Sequence, residues 1–203
     1  MQDVPVAVTA LTAEQLDRLA IKDLGDLQAQ VPNLTIYAAR GSNTTITTFI
    51  RGVGQADPLW GVDPGVGIYF DDVYIARPQG ALLDVYDVQR VEVLRGSQGT
   101  LFGKNASAGV INIVTKSPSS VTEGYLDLSH FTAGNENRLR AGVSGEIAPG
   151  LRASVNALLG RFDGNVTNVF NGDKVNGYDK KGLRAKLEWQ ANPTLEFTLA
   201  ADT

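Results

Sequence analysis

The spacing of apolar residues along this 203-residue chain changes character twice. Leu16, Leu19, Leu24, Leu27 and Val31 recur at helical intervals behind Thr12-Ala13-Glu14-Gln15, a string with capping-box spacing. Gly25 interrupts the series, so it predicts two short helices rather than one, ended by Pro32. From residue 34 the pattern shortens into β-rich runs at 34–37, 45–51, 66–73, 90–94 and 110–115, joined by Gly, Pro and Asp. The segment 55–64 holds Asp57, Pro58, Trp60, Asp63 and Pro64 and reads as an exposed loop. Trp60 there is either a packed anchor or a ligand contact.

After Ser117-Pro118-Ser119-Ser120 the texture changes again, which places a domain boundary at residue 118. Leu139, Ala141, Val143 and Ile147 alternate with Arg138, Arg140, Ser144 and Glu146. Past the turn at Ala148-Pro149-Gly150, Leu151, Ala153, Val155, Ala157 and Leu159 continue the apolar face. A polar loop is expected over 163–179. Leu183, Ala185, Leu187 and Trp189 follow, then Leu195, Phe197, Leu199 and Ala201 beyond Asn192-Pro193. With the run at 123–132 this makes five long strands, each with one apolar and one polar face. Strands of this length fit a membrane barrel wall around a polar lumen. Alternation alone fits a soluble sandwich equally, because a period of two does not distinguish lipid from a protein core. Tight turns at Pro149 and Pro193 on one side, and connections near Gly134 and Asn171 on the other, match periplasmic turns and external loops.

Composition narrows the function classes. A net charge of -4 argues against a nucleic-acid partner. The chain has no cysteine, which removes disulfides and thiolate chemistry, and its one histidine, His130, cannot build a triad or a multi-histidine metal site. Gly99-Thr100-Leu101-Phe102-Gly103-Lys104 fails as a phosphate loop, since Gln98 and Asn105 stand where glycine and a hydroxyl residue are needed. Gly65-Val66-Gly67 lacks the third glycine of a dinucleotide fingerprint. Asp71 and Asp72, if on one strand, point to opposite faces and suit turn residues better than an acid–base pair. No cofactor and no catalytic residue is expected. No apolar window reaches the length of a transmembrane helix, which leaves strands as the only spanning element. The opening MQDVPVAVTALTAEQ shows no signal peptide, so the protein is either cytosolic or written from after its export signal.

The stretch 89–116, with RVEVLRGSQGTLFGKNASAGVINIVTK from Arg90 on, closely resembles the closing motif of the plug domain of TonB-dependent outer-membrane receptors. Asp3-Val4-Pro5-Val6 through Val31-Pro32-Asn33-Leu34 resembles the plug's opening, and Ile50-Arg51-Gly52 with Gly67-Ile68-Tyr69-Phe70-Asp71-Asp72-Val73-Tyr74 its middle. Ser97 stands where that family has Pro, Ala108 where it often has Gly, and Asp72 where Gly is common. The resemblance implies a mixed α/β plug domain over 1–118, followed over 119–203 by the first antiparallel strands of a transmembrane β-barrel. The family barrel has 22 strands, so about seventeen of them, and a TonB box before Asp3, are expected outside this chain. It is then a fragment that holds plug structure and does not itself transport.

The function implied is energy-coupled import, in the outer membrane of a Gram-negative bacterium, of a scarce ligand such as a ferric siderophore, cobalamin or a glycan. TonB is the implied partner, pairing with the missing box by strand addition, and outer-membrane lipid surrounds the barrel. Arg51 and Arg95 occupy the positions of plug arginines that in several members pair with barrel glutamates as a latch. The alternative is that both satisfy plug backbone carbonyls. Ligand contacts are expected from Gln55, Asp57, Trp60 and Asp63, with Arg77 and Gln79 in the next loop. The competing class is a soluble or surface β-rich binding module with a plug-like domain. An envelope hydrolase is disfavoured by the residue inventory.

Overall fold

A computed structural model describes residues 7–39, 45–56, 63–76, 84, 86–132 and 134–203. The chain divides into two compact units, Met1–Lys116 and Ser117–Thr203.

The first unit opens with β1 (Ala7–Thr12) and α1 (Ala13–Arg18). The capping box is present: the Thr12 hydroxyl accepts from the Gln15 N–H and the Gln15 side chain accepts from the Thr12 N–H. The second predicted helix is a 3₁₀ helix, Leu24–Ala29, capped by Asp23 and burying Leu24 and Leu27 completely. Then come β2 (Leu34–Ala38), β3 (Ile46–Ile50) and β4 (Val53–Gly54), which form one antiparallel sheet in that order. The run 66–73 is not one strand. It is β5 (Val66–Phe70) and β6 (Val73–Tyr74) around a turn at Asp71-Asp72, whose φ angles of 45° and 65° are both left-handed. A tight two-residue hairpin needs that hand at both central positions, and aspartate tolerates it better than most residues.

The sequence motif forms β7 (Val88–Arg95), a one-turn α2 (Gly99–Phe102) and β8 (Gly109–Thr115). Five strands pair in the order β1-β7-β8-β5-β6, with β5 and β8 parallel and the rest antiparallel. Strand β1 was absent from the sequence reading because it is a half-exposed edge whose one buried residue is Leu11. The larger core joins Val91, Val93, Ile111 and Ile113 of this sheet to Leu24, Leu27, Ile36 and Ile50. A smaller cluster packs Tyr69, Ala106 and Val110 with Tyr74, Leu94 and Phe102.

The second unit is a five-stranded antiparallel meander of β9 (Glu123–Phe131), β10 (Glu136–Ala148), β11 (Leu151–Phe162), β14 (Tyr178–Asn192) and β15 (Leu195–Asp202). The expected polar loop between β11 and β14 instead carries a small hairpin, β12 (Val166–Thr167) with β13 (Lys174–Val175). Its turn closes through hydrogen bonds from the Asn168 N–H to Asp173 and from the Gly172 N–H to Asn168, which composition does not announce.

One face of the meander exposes Leu126, Leu128, Val143, Val155, Leu159, Leu183 and Leu199. The other joins opposite charges across neighbouring strands: Arg140 to Asp127 at 3.3 Å, Arg152 to Glu188 at 3.0 Å and Arg184 to Asp202 at 2.5 Å. Each pair is directly opposed in the register, the arrangement in which cross-strand charges help most. Tyr125 lies across Gly142, where a side chain would collide with its ring, and its hydroxyl donates to Asn156. Exposed leucines opposite a charged face invert the order of a water-soluble sheet.

Candidate functional site

The two motif arginines lie close together but in different surroundings. Arg51 follows β3, with φ of 53° beside Gly52 at 79°, and its N–H donates to the Asn33 carbonyl at 2.9 Å. Its side chain is exposed, and a Cβ built on Gly96 falls 3.7 Å from its Nη1, so the guanidinium lies beside the residue following Arg95. Arg95 ends β7. Its Nη1 donates to the Pro32 carbonyl and its Nη2 to the Thr9 hydroxyl, both at 3.3 Å, while Nε is buried without a partner among the described residues. Arg95 therefore ties β1 and the start of β2 to β7.

The ligand-contact residues divide between described and undescribed segments. Asp57, Trp60, Arg77 and Gln79 lie outside the described residues, as does most of the predicted 55–64 loop. Gln55 follows β4 and is half-buried. Asp63 precedes β5, and its carboxylate takes Lys104 Nζ at 2.5 Å. Both side chains are largely exposed, so this pair is worth little to stability. Lys104, on the far side of α2, is the site neighbour that the sequence reading missed, 41 positions away from its partner.

The glycine-rich motif is built to hold its own hairpin. The Tyr69 hydroxyl donates to the Phe102 carbonyl, and the Tyr69 ring meets Phe102 edge-on at 4.8 Å and Tyr74 at 5.4 Å. Gly67 leaves room for the Tyr69 ring, which a Cβ would approach to 2.7 Å. Burial pushes the Tyr69 hydroxyl pKa above the ordinary tyrosine value. Tyr74 shifts the same way, first through burial and then through the nearby Asp63 charge. Asp71 accepts from the Thr115 N–H at 2.8 Å and from its hydroxyl at 2.5 Å, so its carboxylate serves the β5–β8 junction rather than acid–base chemistry. Among the described residues no group of three or more His, Asp or Glu side chains is placed to hold a metal ion. Among the described residues no helix is long and apolar enough to cross a membrane, which says nothing of a β-barrel.

Comparison with known proteins decides what this arrangement belongs to. The TonB-dependent Receptor Plug Domain profile matches residues 1–110. The chain belongs to the TonB-dependent receptors.

The pesticin receptor of Yersinia enterocolitica is 34% identical over 186 residues, covering 90% of this chain and 26% of that protein. The iron-regulated outer membrane virulence protein of Vibrio cholerae is 28% identical over 222 residues, covering 99% of this chain and 31% of that protein. The crystal structure of the ferric yersiniabactin uptake receptor FyuA from Yersinia pestis superposes with a TM-score of 0.86 at 32% identity, over 97% of this chain and 31% of that one. The chain thus spans about a quarter to a third of the length of these relatives. The two Yersinia proteins are named as receptors, and none of the three is named as an enzyme. Membership decides between the two readings of the alternating strands: this is a plug followed by opening strands of an outer-membrane barrel in a Gram-negative bacterium, and the exposed leucines face lipid.

Proposed function

We propose that the protein to which this chain belongs imports a scarce ligand across the outer membrane, and that the ligand is a ferric siderophore. The supporting observation is the agreement with FyuA at 32% identity over nearly the whole chain, a protein named for ferric yersiniabactin uptake. On this reading residues 1–118 are the plug and 119–203 the first barrel strands. TonB engages a segment upstream of Asp3 and pulls on the plug, and no covalent chemistry is done on the ligand. Gln55, Asp57, Trp60, Asp63, Arg77 and Gln79 contact the ligand from the plug loops, where Asp63 must give up Lys104 to take part. Arg51, with its exposed guanidinium, serves as the plug–barrel latch. The hydrogen bonds of Arg95 favour a second role, fastening the plug's own first strand.

Deleting the full-length gene tests this. Growth on an iron-chelated medium should then fail for one ferric siderophore of a panel, and radioactive iron carried by that siderophore should no longer accumulate. Unchanged uptake of every ferric siderophore, with loss of cobalamin or glycan uptake instead, overturns the choice of ligand. Unchanged uptake of all three classes overturns import itself.

A further inference from the structure

The chain contains two Asn-Gly pairs, Asn171-Gly172 and Asn176-Gly177, both in the connection between β11 and β14. An asparagine before glycine is prone to self-modification. The next backbone nitrogen can attack the side-chain amide carbon, and glycine puts no side chain in its way. By sequence the two pairs have equal standing, but their surroundings differ.

Asn171-Gly172 lies at the tip of the β12–β13 hairpin, where residues 171–173 are all exposed. Asn171 Oδ1 accepts from the Asp173 N–H at 3.1 Å, and its Nδ2 donates to the Asp173 carboxylate at 2.6 Å. The first bond folds the side chain back along its own following peptide. It also sets a donor on the oxygen that becomes negative when the amide carbon is attacked. The second bond holds the nitrogen that must leave. A Cβ built on Gly172 meets nothing within 4 Å, so the peptide has room to close a ring. One contact opposes the attack, the bond from the Gly172 N–H to the Asn168 carbonyl at 2.8 Å. The hairpin behind it has only two paired positions, Val166 with Val175 and Thr167 with Lys174, so that bond opens often.

Asn176-Gly177 is held differently. Asn176 Nδ2 donates to Asn165 at 3.5 Å, and its Oδ1 receives no N–H among the described residues. A Cβ built on Gly177 would lie 2.5 Å from the Phe162 carbonyl oxygen and 2.9 Å from that of Asp163. This peptide is packed against the backbone at the end of β11, with no donor on the amide oxygen and little room for a ring.

We propose that Asn171 is a self-modification site, closing onto Gly172 and reopening as isoaspartate or aspartate. Hydroxide takes the Gly172 N–H proton, the bond from that nitrogen to Asn171 Cγ forms, and the Cγ–Nδ2 bond breaks. The departing nitrogen takes a proton from water and leaves as ammonia, which restores the hydroxide. Water then adds to either carbonyl of the five-membered imide. The new carboxylate faces Asp173 where a hydrogen bond stood, and two like charges loosen the turn. Receptor molecules thereby record their age in the charge of this hairpin, in a connection of the long class that faces the cell exterior in this architecture. None of this depends on which ligand is imported, or on import at all.

The test incubates the full-length receptor in nanodiscs at mildly alkaline pH beside a synthetic peptide of residues 163–179. Both are mapped by mass spectrometry with isoaspartate methyltransferase labelling. In the peptide the two asparagines should convert at similar rates. In the receptor Asn171 should convert about tenfold faster than Asn176, a ratio of the size one well-placed hydrogen bond makes. Isoaspartate should accompany aspartate, and the rate should rise with hydroxide concentration. Gly172→Ala should slow Asn171 by about tenfold, while Gly177→Ala leaves it unchanged. Asn171→Asp, which carries the product's charge, should speed amide hydrogen exchange over residues 168–173. Heat-modifiable gel mobility checks that each variant is folded. Equal rates at the two asparagines in the receptor, or aspartate without isoaspartate, overturn the proposal. So does an Asn171 that stays intact in the receptor while the peptide converts.

Discussion

Replacing Arg95 with Met should loosen β1 while leaving the rest of the plug sheet intact. The Met side chain keeps the stem and removes two hydrogen bonds, to Pro32 and to Thr9. Both are 3.3 Å long, at the weak end of the range, so about 1 kcal/mol each is a fair value, or about 2 kcal/mol together. Part of this is offset, because the buried and unpartnered Nε disappears as well. A net loss of about 1–2 kcal/mol corresponds to roughly 5- to 30-fold more frequent opening of the segment. The effect should be local. Strand β1 has Leu11 as its one buried residue, whereas β8 is buried along almost its whole length. Amide hydrogen exchange of the full-length receptor in nanodiscs, read by mass spectrometry, measures this directly. Peptides covering residues 7–12 should exchange faster by that factor, and peptides covering 109–115 should not change. Thr9→Val should produce about half the effect on the free-energy scale. If β8 accelerates as much as β1, Arg95 supports the whole sheet and the strand-specific reasoning is wrong. If neither changes, the two hydrogen bonds contribute nothing. The outcome bears on the proposed import, because β1 is the first strand among the described residues of the plug.

Gly109→Ala should cost about 1–3 kcal/mol or more, since its Cβ would collide with the Leu94 carbonyl and come within 2.7 Å of Ile50 Cδ1. Lower protease resistance of the plug in the assembled receptor would show it, and wild-type resistance would refute it. Tyr69 and Tyr74 favour their neutral forms in the fold. Their pKa values are raised above the unfolded value near 10, so the associated stability is complete below about pH 10 and is lost as pH rises through the folded values. The double variant Tyr69→Phe/Tyr74→Phe should flatten that alkaline loss in plug unfolding followed against pH, and an unchanged slope would count against it. Val155, at the middle of the apolar band, should tolerate Leu but lose about 2–4 kcal/mol as Arg. Urea unfolding of the full-length receptor from lipid vesicles checks this, a neutral Val155→Arg showing that the face does not meet lipid.

Features with a local cause were the ones legible along the chain. The capping box at Thr12 closes within four residues, and the alternation in β10, β11 and β14 follows from the pleat alone. Features without a local signature were missed. Strand β1, with the string AVTALT, is a strand because β7 pairs with it, and α2 is too short to show a period. The hairpin within 163–179 rests on side-chain turns rather than on apolar residues. Asp71 and Asp72 were legible as turn residues but not as the break in the run 66–73; their left-handed backbone, with the contact of Asp71 to Thr115 44 positions away, sets the turn between β5 and β6.

The order of plug motifs was enough to point to the family, because motif order survives without coordinates. The five long strands and their apolar faces were equally plain, since a period of two is a property of neighbours in sequence. Tertiary structure alone decided the partners of each charged group. Arg95 bonds to residues 63 and 86 positions away, and the sequence left open whether it faced a barrel glutamate or a plug carbonyl. Likewise Arg152 meets Glu188 only once β11 and β14 are in register, because a row across a sheet draws each member from a different stretch of chain.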